Sequence, residues 1–212
     1  MSRAVIVCGA KIKDYEFVSS FFKEGDFFIY CDSGLIHEDR FLSPVDSSAD
    51  LIIGDFDSHE KPVRDTEIIE LPTEKDDTDS VYAIKEAIAR GYNEILMVGG
   101  IGDRFDHSLV NAYSLMLMNE LGASGRIVDD YSEMSLIDNS YTAFIEPKWN
   151  YFSLVAISGT VSGVTIKNAK YNLDNAQIKP TYQYATSNEV AGNISAEVSI
   201  EDGYLLLIKD RY

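Results

Sequence analysis

The sequence predicts an α/β N-terminal domain with a mainly parallel sheet, followed by an all-β, sandwich-like C-terminal domain. Three features predict it. Near-continuous apolar runs that end in glycine or a polar loop recur through the first part of the 212 residues, as buried parallel strands do. Helix-periodic segments lie between them, and strand–helix alternation implies a parallel sheet. After about Tyr131 the helical patterns stop, and only short strands and turns remain. The expected division is 1–131 and 132–212.

The elements follow in order. "RAVIVCG" ends at Gly9, "FFIYCDSG" spans Phe27–Gly34, "ADLIIGDFDS" spans Ala49–Ser58 and "NEILMVGGIGD" spans Asn93–Asp103. Each reads as a buried strand. Ser80–Arg90 carries Val81, Ile84, Ala87 and Ile88 at helical spacing, and Gly91 is placed as its stop. Ser108–Leu121 is a second apolar helix, followed by Gly122. Later, Tyr151–Ser158 is β-rich, and "AEVSI" and "YLLLI" read as two strands of a hairpin turned by Glu201-Asp202-Gly203.

Composition narrows the function. Hydrophobic residues make up 45%, enough for a real core. No apolar run approaches the ~20 residues of a membrane span, and the apolar start is too short for a signal peptide. Cys8 and Cys31 sit in strand-like runs, which suggests buried thiols in a reducing, cytoplasmic setting. The formal charge is −17, from 18 basic and 35 acidic residues. That argues against a nucleic-acid partner, because phosphate backbones need a basic face. It leaves room for small phosphorylated ligands bridged to carboxylates by divalent cations.

The acids collect at the ends of the expected strands, where open parallel sheets bind ligands. Asp32 follows the second strand, Asp55 and Asp57 the third, and Asp103, Arg104, Asp106 and His107 the fourth; "EKDDTD" ends in Asp79 just before a helix. Each has a plainer alternative. Asp32 could start a turn. Asp55 and Asp57, two apart, would share one face of an extended segment and could be a solvated turn. Asp79 could be an N-cap, with Glu74, Asp76 and Asp77 complementing the helix dipole. His107 reads as a structural hydrogen-bonder, and Trp149 as a core or interface anchor. The plain alternatives do not account for the joint placement at successive strand ends.

Metal-assisted phosphoryl transfer suits such a cluster. Mg²⁺ takes a few carboxylates, water and substrate phosphates. Arg104 offers a planar grip on a phosphate and Lys75 a point charge. Gly99, Gly100 and Gly102 let the backbone approach closely. No GxxxxGK[ST] loop is present, so this is not a Walker nucleotide site.

At these residues the chain resembles the thiamine pyrophosphokinase family. "DSG" (Asp32–Gly34), "GDFDS" (Gly54–Ser58), "EKDDTD" (Glu74–Asp79) and "GGIGDRFDH" (Gly99–His107) occur in the family's order. "KYNLDNA" (Lys170–Ala176) and "TSNEVAG" (Thr186–Gly192) extend the resemblance into the β-rich part. It implies an α/β domain that binds ATP and Mg²⁺, a β-rich thiamine-binding domain, a homodimer with thiamine between subunits, and transfer of the pyrophosphoryl group of ATP to the thiamine hydroxyl with release of AMP. Residue by residue it implies Asp55, Asp57 and Asp79 as metal-binding acids with Asp32 close by. Lys75, Thr78, Gly100 and Arg104 fall on the nucleotide side. Asp106 falls beside thiamine and the reacting centre, and Ser187 and Asn188 in the thiamine-binding segment. Asp79 or Asp55 would serve as the general base, and Asp77 could bind metal or start the helix. The chain departs from the family at Ser33, at "LIHEDR" and at "CGAKIK", which leaves the base preference open. A pyrophosphokinase for another hydroxymethyl substrate, such as a pterin, and a non-catalytic thiamine-phosphate binding module are the competing readings.

Overall fold

A computed structural model describes residues 3–41, 45–56, 61–102 and 104–212. The chain divides into two compact units, Met1–Asp130 and Tyr131–Tyr212. Among the described residues, no helix is long and apolar enough to cross a membrane.

The first unit is a parallel sheet with helices. Its elements are β1 (Arg3–Val7), α1 (Tyr15–Ser19), β2 (Phe27–Cys31), β3 (Leu51–Gly54), β4 (Glu67–Glu70), α2 (Asp79–Ala89), β5 (Glu94–Val98), α3 (Phe105–Glu120) and β6 (Ser124–Val128). A 3-10 segment, Asp32–Arg40, follows β2. The strands run in the order β4-β3-β2-β1-β5-β6, and every pairing is parallel. The four strands read from the sequence are all present. Two more, β4 and β6, join them. β4 has only two apolar residues between glutamates, and β6 carries Gly125 and Arg126, so neither makes a continuous apolar run.

Strand alternation sorts the core. Val5 and Val7 join Phe28, Tyr30, Ile52, Leu96 and Val98 in one cluster with Tyr15, Val18 and Phe22. Ala4 and Ile6 are equally buried and point to the other face. α2 packs against β1, β2 and β3, and α3 against β6. α2 buries Ala83, Ile84 and Ala87, and a fully buried aliphatic such as Ile84 contributes about 1.5–3 kcal/mol. Gly91, at φ 91°, ends the helix, with its N–H donated to the Ile88 carbonyl.

The order reverses at β1: β2, β3 and β4 lie to one side, and β5 and β6 to the other. This is a topological switch point, where the loops after β1 and β5 part and open a crevice. Cys8 N–H still bonds the Val98 carbonyl and Ala10 N–H the Gly99 carbonyl. Gly99 is required there: its φ is 63°, and a Cβ would lie 2.3 Å from the Cys8 carbonyl oxygen.

The second unit is all β. It holds β7 (Ser132–Ile137), β8 (Ala143–Ile145), β9 (Tyr151–Ala156), β10 (Val161–Lys167), β11 (Leu173–Ile178), β12 (Ala196–Ser199) and β13 (Leu205–Asp210). β7 and β9 flank β13, and β11-β10-β12-β8 form a second sheet, all antiparallel. Burial alternates along β9, as a two-sheet core demands. The expected hairpin between β12 and β13 is not formed, because the two strands lie in different sheets. The turn residues behave locally, with Gly203 at φ 94°. Yet Glu201 and Asp202 hydrogen-bond Ser162, so the chain changes sheets there. Trp149 is buried as a core anchor, with the Lys209 ammonium 5.1 Å from its ring centroid.

Candidate active site

The carboxyl ends of β1, β2 and β5 and the start of α2 line a cavity of about 520 Å³. Cys8 to Ile12 come from the loop after β1, Ser33, His37 and Arg40 from the 3-10 segment, Thr78 to Ser80 from the α2 terminus, and Gly99, Gly100, Gly102 and Arg104 from the loop after β5. Expected residues Thr78, Asp79, Gly100 and Arg104 therefore share one cavity.

Asp79 and Asp55 meet at a cation. The Lys75 ammonium lies 2.6 Å from Asp55 Oδ2 and 2.8 Å from Asp79 Oδ1. Burial alone would push the Lys75 pKa down, but the two carboxylates outweigh it and hold it above its ordinary value. Asp32 is buried at the end of β2. Gly54 allows this approach, since a Cβ there would come 2.5 Å from the Asp32 Cβ. Two carboxylates, from the end of β3 and the start of α2, thus meet at Lys75, while among the described residues no three metal-ligating side chains form a group. Asp57 lies outside the described residues. The expected shared face of Asp55 and Asp57 therefore lies outside the described residues as well; Phe56 before it is left-handed, at φ 52°.

The acidic run before α2 divides differently from expectation. Thr78, not Asp79, is the N-cap, its Oγ1 accepting from the Val81 N–H, and Asp79 is the one acid of the first turn. Glu74 and Asp76 lie upstream of the cap. Asp77 pairs with Lys85 at 2.6 Å.

Sequence reasoning missed the residues that hold the glycine loop. Ser80 Oγ donates to Asn111 Oδ1 at 2.9 Å, and Asn111 Nδ2 donates to the Gly100 carbonyl at 2.7 Å. This buried chain ties α2 and α3 to the loop. Both residues sit at apolar-face positions of their helices, which was the available signal. His37 was missed as well. It is 1% exposed. Its Nε2 pairs with the Ala10 carbonyl at 3.0 Å and its Nδ1 with the Tyr15 hydroxyl at 2.7 Å. Since a carbonyl only accepts, Nε2 carries the proton and Nδ1 accepts from Tyr15. Burial lowers the His37 pKa, against the Ala10 hydrogen bond and with help from Arg40. Its ring pins the loop after β1 to the 3-10 segment.

Arg104 and Asp106 pair with each other at 2.6 Å, both well exposed. Arg104 holds the Asp106 carboxyl below its usual range. His107 is exposed and lines the cavity. Cys8 and Cys31 are free, buried thiols beneath the cavity. Its hydrogen bond with Cys8 and its burial push the Cys31 thiol well above its ordinary pKa, so Cys31 does not read as a nucleophile.

In the second unit, Ile166, Tyr171, Leu173, Tyr184, Thr186 and Asn188 border a cleft of about 190 Å³. Asn188, an expected substrate contact, is 3% exposed. Its Oδ1 accepts from Tyr171 N–H and Glu189 N–H, and its Nδ2 donates to the Tyr171 carbonyl. Its amide shapes the cleft from behind. Ser187 is exposed and left-handed, at φ 54°, with its N–H donated to Ser153 Oγ at 3.0 Å.

The family model for the thiamin pyrophosphokinase catalytic domain matches residues 18–124. The chain belongs to the thiamin pyrophosphokinase family. A second model, the thiamin pyrophosphokinase vitamin B1 binding domain, matches residues 142–205. Solved structures of thiamin pyrophosphokinases share the fold. The Bacillus subtilis enzyme is 21% identical with a TM-score of 0.82, covering 99% of each chain. The Geobacillus thermodenitrificans enzyme is 24% identical with a TM-score of 0.80, covering 99% of this chain and 97% of its own. The Candida albicans enzyme is 17% identical with a TM-score of 0.80, covering 99% and 89%. No curated protein sequence matches the chain. The family's activity, pyrophosphoryl transfer from ATP to the hydroxyl of thiamine, goes with both matched domains.

Proposed function

We propose that the cavity of the first unit binds ATP with Mg²⁺, and that the second unit supplies the thiamine-binding face. The observation that carries this reading is the convergence of Asp55 and Asp79 on one positive centre beside a switch-point cavity. The donor set fits a hard divalent cation: carboxylate oxygens from two elements already share a cation, with Asp32 at the neighbouring strand end. Asp55 and Asp79, with Asp57, would hold Mg²⁺. When bound, Mg²⁺ would neutralise phosphate charge and align attacking and leaving oxygens.

The chain's own groups do the rest. Arg104 would leave Asp106 to grip a phosphate in the planar, bidentate way of a guanidinium. Thr78 and the Gly100 loop would border the phosphates, and Asp106 would face thiamine. The thiamine hydroxyl oxygen forms a bond to the β-phosphorus, the bond from that phosphorus to the oxygen shared with the α-phosphorus breaks, and AMP leaves. Asp55 or Asp79 takes the hydroxyl proton. Ser187 and the Tyr171–Tyr184 cleft would receive thiamine, whose thiazolium cation suits aromatic faces.

α3 leaves Phe105, Leu109, Val110 and Tyr113 exposed, an apolar stripe beside Arg104 that a second copy would cover in a homodimer; light scattering on the purified protein tests it. The two free thiols suit a cytoplasmic setting. The activity is tested by AMP release from ATP, Mg²⁺ and thiamine, with controls lacking thiamine or metal. Thiamine- and Mg²⁺-dependent AMP with thiamine pyrophosphate as coproduct is expected. AMP with a hydroxymethylpterin instead, or thiamine pyrophosphate binding without turnover, overturns it.

A further inference from the structure

We propose that Lys75 is the place-holder of the metal site. Without metal its ammonium keeps Asp55 and Asp79 together, and it moves to the nucleotide phosphates when a divalent cation takes those oxygens. The proposal rests on the metal reading of Asp55 and Asp79.

The geometry points this way on three grounds. First, Nζ contacts Asp55 Oδ2 at 2.6 Å and Asp79 Oδ1 at 2.8 Å. The two carboxylates come from different elements, the end of β3 and the first turn of α2. Like charges brought so close repel unless a cation sits between them. Second, the side chains of Lys75, Asp55 and Asp79 are only 16%, 14% and 27% exposed. Water screens this group less than an exposed pair, so the contact is a real competitor for a metal. Third, lysine is a point charge on a flexible four-carbon stem. It can release two carboxylates and reach a neighbouring anion, and Asp79, which it holds, borders the cavity.

A divalent cation and an ammonium repel each other and cannot share the same oxygens. Metal alone must therefore displace Lys75 with nothing to receive it. Nucleotide phosphates supply a receiver, so nucleotide and metal favour each other's binding, and the coupling is reciprocal. Lys75 thereby suppresses binding of metal in the absence of nucleotide and keeps the acids preorganised.

The test uses Mn²⁺ as probe. Binding to the full chain is measured by electron paramagnetic resonance without nucleotide. It is measured again by equilibrium dialysis with a non-hydrolysable ATP analogue. Lys75→Met is expected to bind Mn²⁺ alone about 10-fold or more tightly than wild type, and to lose most of the gain that the analogue gives wild type. Its metal-free melting temperature is expected to fall and to recover on adding Mn²⁺. Lys75→Gln, which keeps a polar contact, should shift the same way by less, and it serves if the Met variant does not fold. Folded variants that bind Mn²⁺ alone no better than wild type overturn the place-holder. If wild type retains no Mn²⁺ even with the analogue, or Asp79→Asn retains as much, the metal reading itself falls.

Discussion

Asp79 was expected to bind metal and Asn188 to contact substrate, and the fold holds them in different ways. Asp79 is gripped by a lysine side chain at 2.8 Å, on the border of a cavity. Asn188 is gripped by three backbone hydrogen bonds from its own unit and is 3% exposed. A ligand can exchange the first kind of contact, because an ion pair can trade one cation for another. It cannot exchange the second without unfolding the segment. The first unit therefore keeps reactive groups in replaceable partnerships. The second uses its polar side chains to shape a surface on which Ser187, Tyr171 and Tyr184 stand exposed.

Substitutions can break this contrast, and the largest effect belongs to Asp79. Asp79→Asn should lower turnover by about 10³-fold or more, beyond the 10²–10³ of one lost electrostatic donor, while circular dichroism shows an intact fold. Asp57→Asn should do likewise. Near-normal steady-state rates in both would remove the metal assignment.

Asn188→Ala should act through the fold. Losing three buried backbone partnerships should cost roughly 2–4 kcal/mol, read as a lower urea midpoint. A variant with unchanged stability but a raised KM for thiamine would instead assign Asn188 to substrate contact.

Tyr171→Ala should sit between these. Loss of one aromatic face should raise the KM for thiamine about 10-fold, equivalent to about 1.4 kcal/mol, with kcat and stability largely kept. No change in KM would move the thiamine face away from the cleft.

The smallest effect is the pH response of His37. Its folded pKa lies below the unfolded value because burial disfavours the charged ring. The unfolded chain thus binds the proton more readily. The associated stability is complete above the unfolded pKa of about 6.5 and is lost as pH falls below it, at no more than about 1.4 kcal/mol per pH unit. His37→Gln should be less stable at neutral pH yet show a flatter decline from pH 7 to 5 in thermal melts. An equal decline in both would assign the acid response elsewhere.

Much of the fold was legible because local pattern and environment agreed. β1, β2, β3 and β5 are buried on both faces, so their apolar runs are unbroken. β4 escaped because its glutamates meet solvent at the sheet edge. The β12–β13 turn misled because Gly203 satisfies a turn without stating which sheet receives the next strand. In the site, Asp32, Asp55 and Asp79 stood out because acids at strand ends are costly without a cation. Ser80, Asn111 and His37 did not, because a lone polar residue in an apolar stretch says nothing about its partner until the partner is brought near.

The sequence by itself determined the two kinds of architecture, the strand ends that carry the acids and the family. These follow from hydrophobic period and motif order, which are properties of neighbouring residues. Only the tertiary structure decided that Lys75 sits between Asp55 and Asp79, that Thr78 rather than Asp79 caps α2, and that the Asn188 amide bonds the backbone of Tyr171 and Glu189. Those outcomes depend on which distant groups compete for the same charge or hydrogen bond, and that competition exists only once the chain has brought them together.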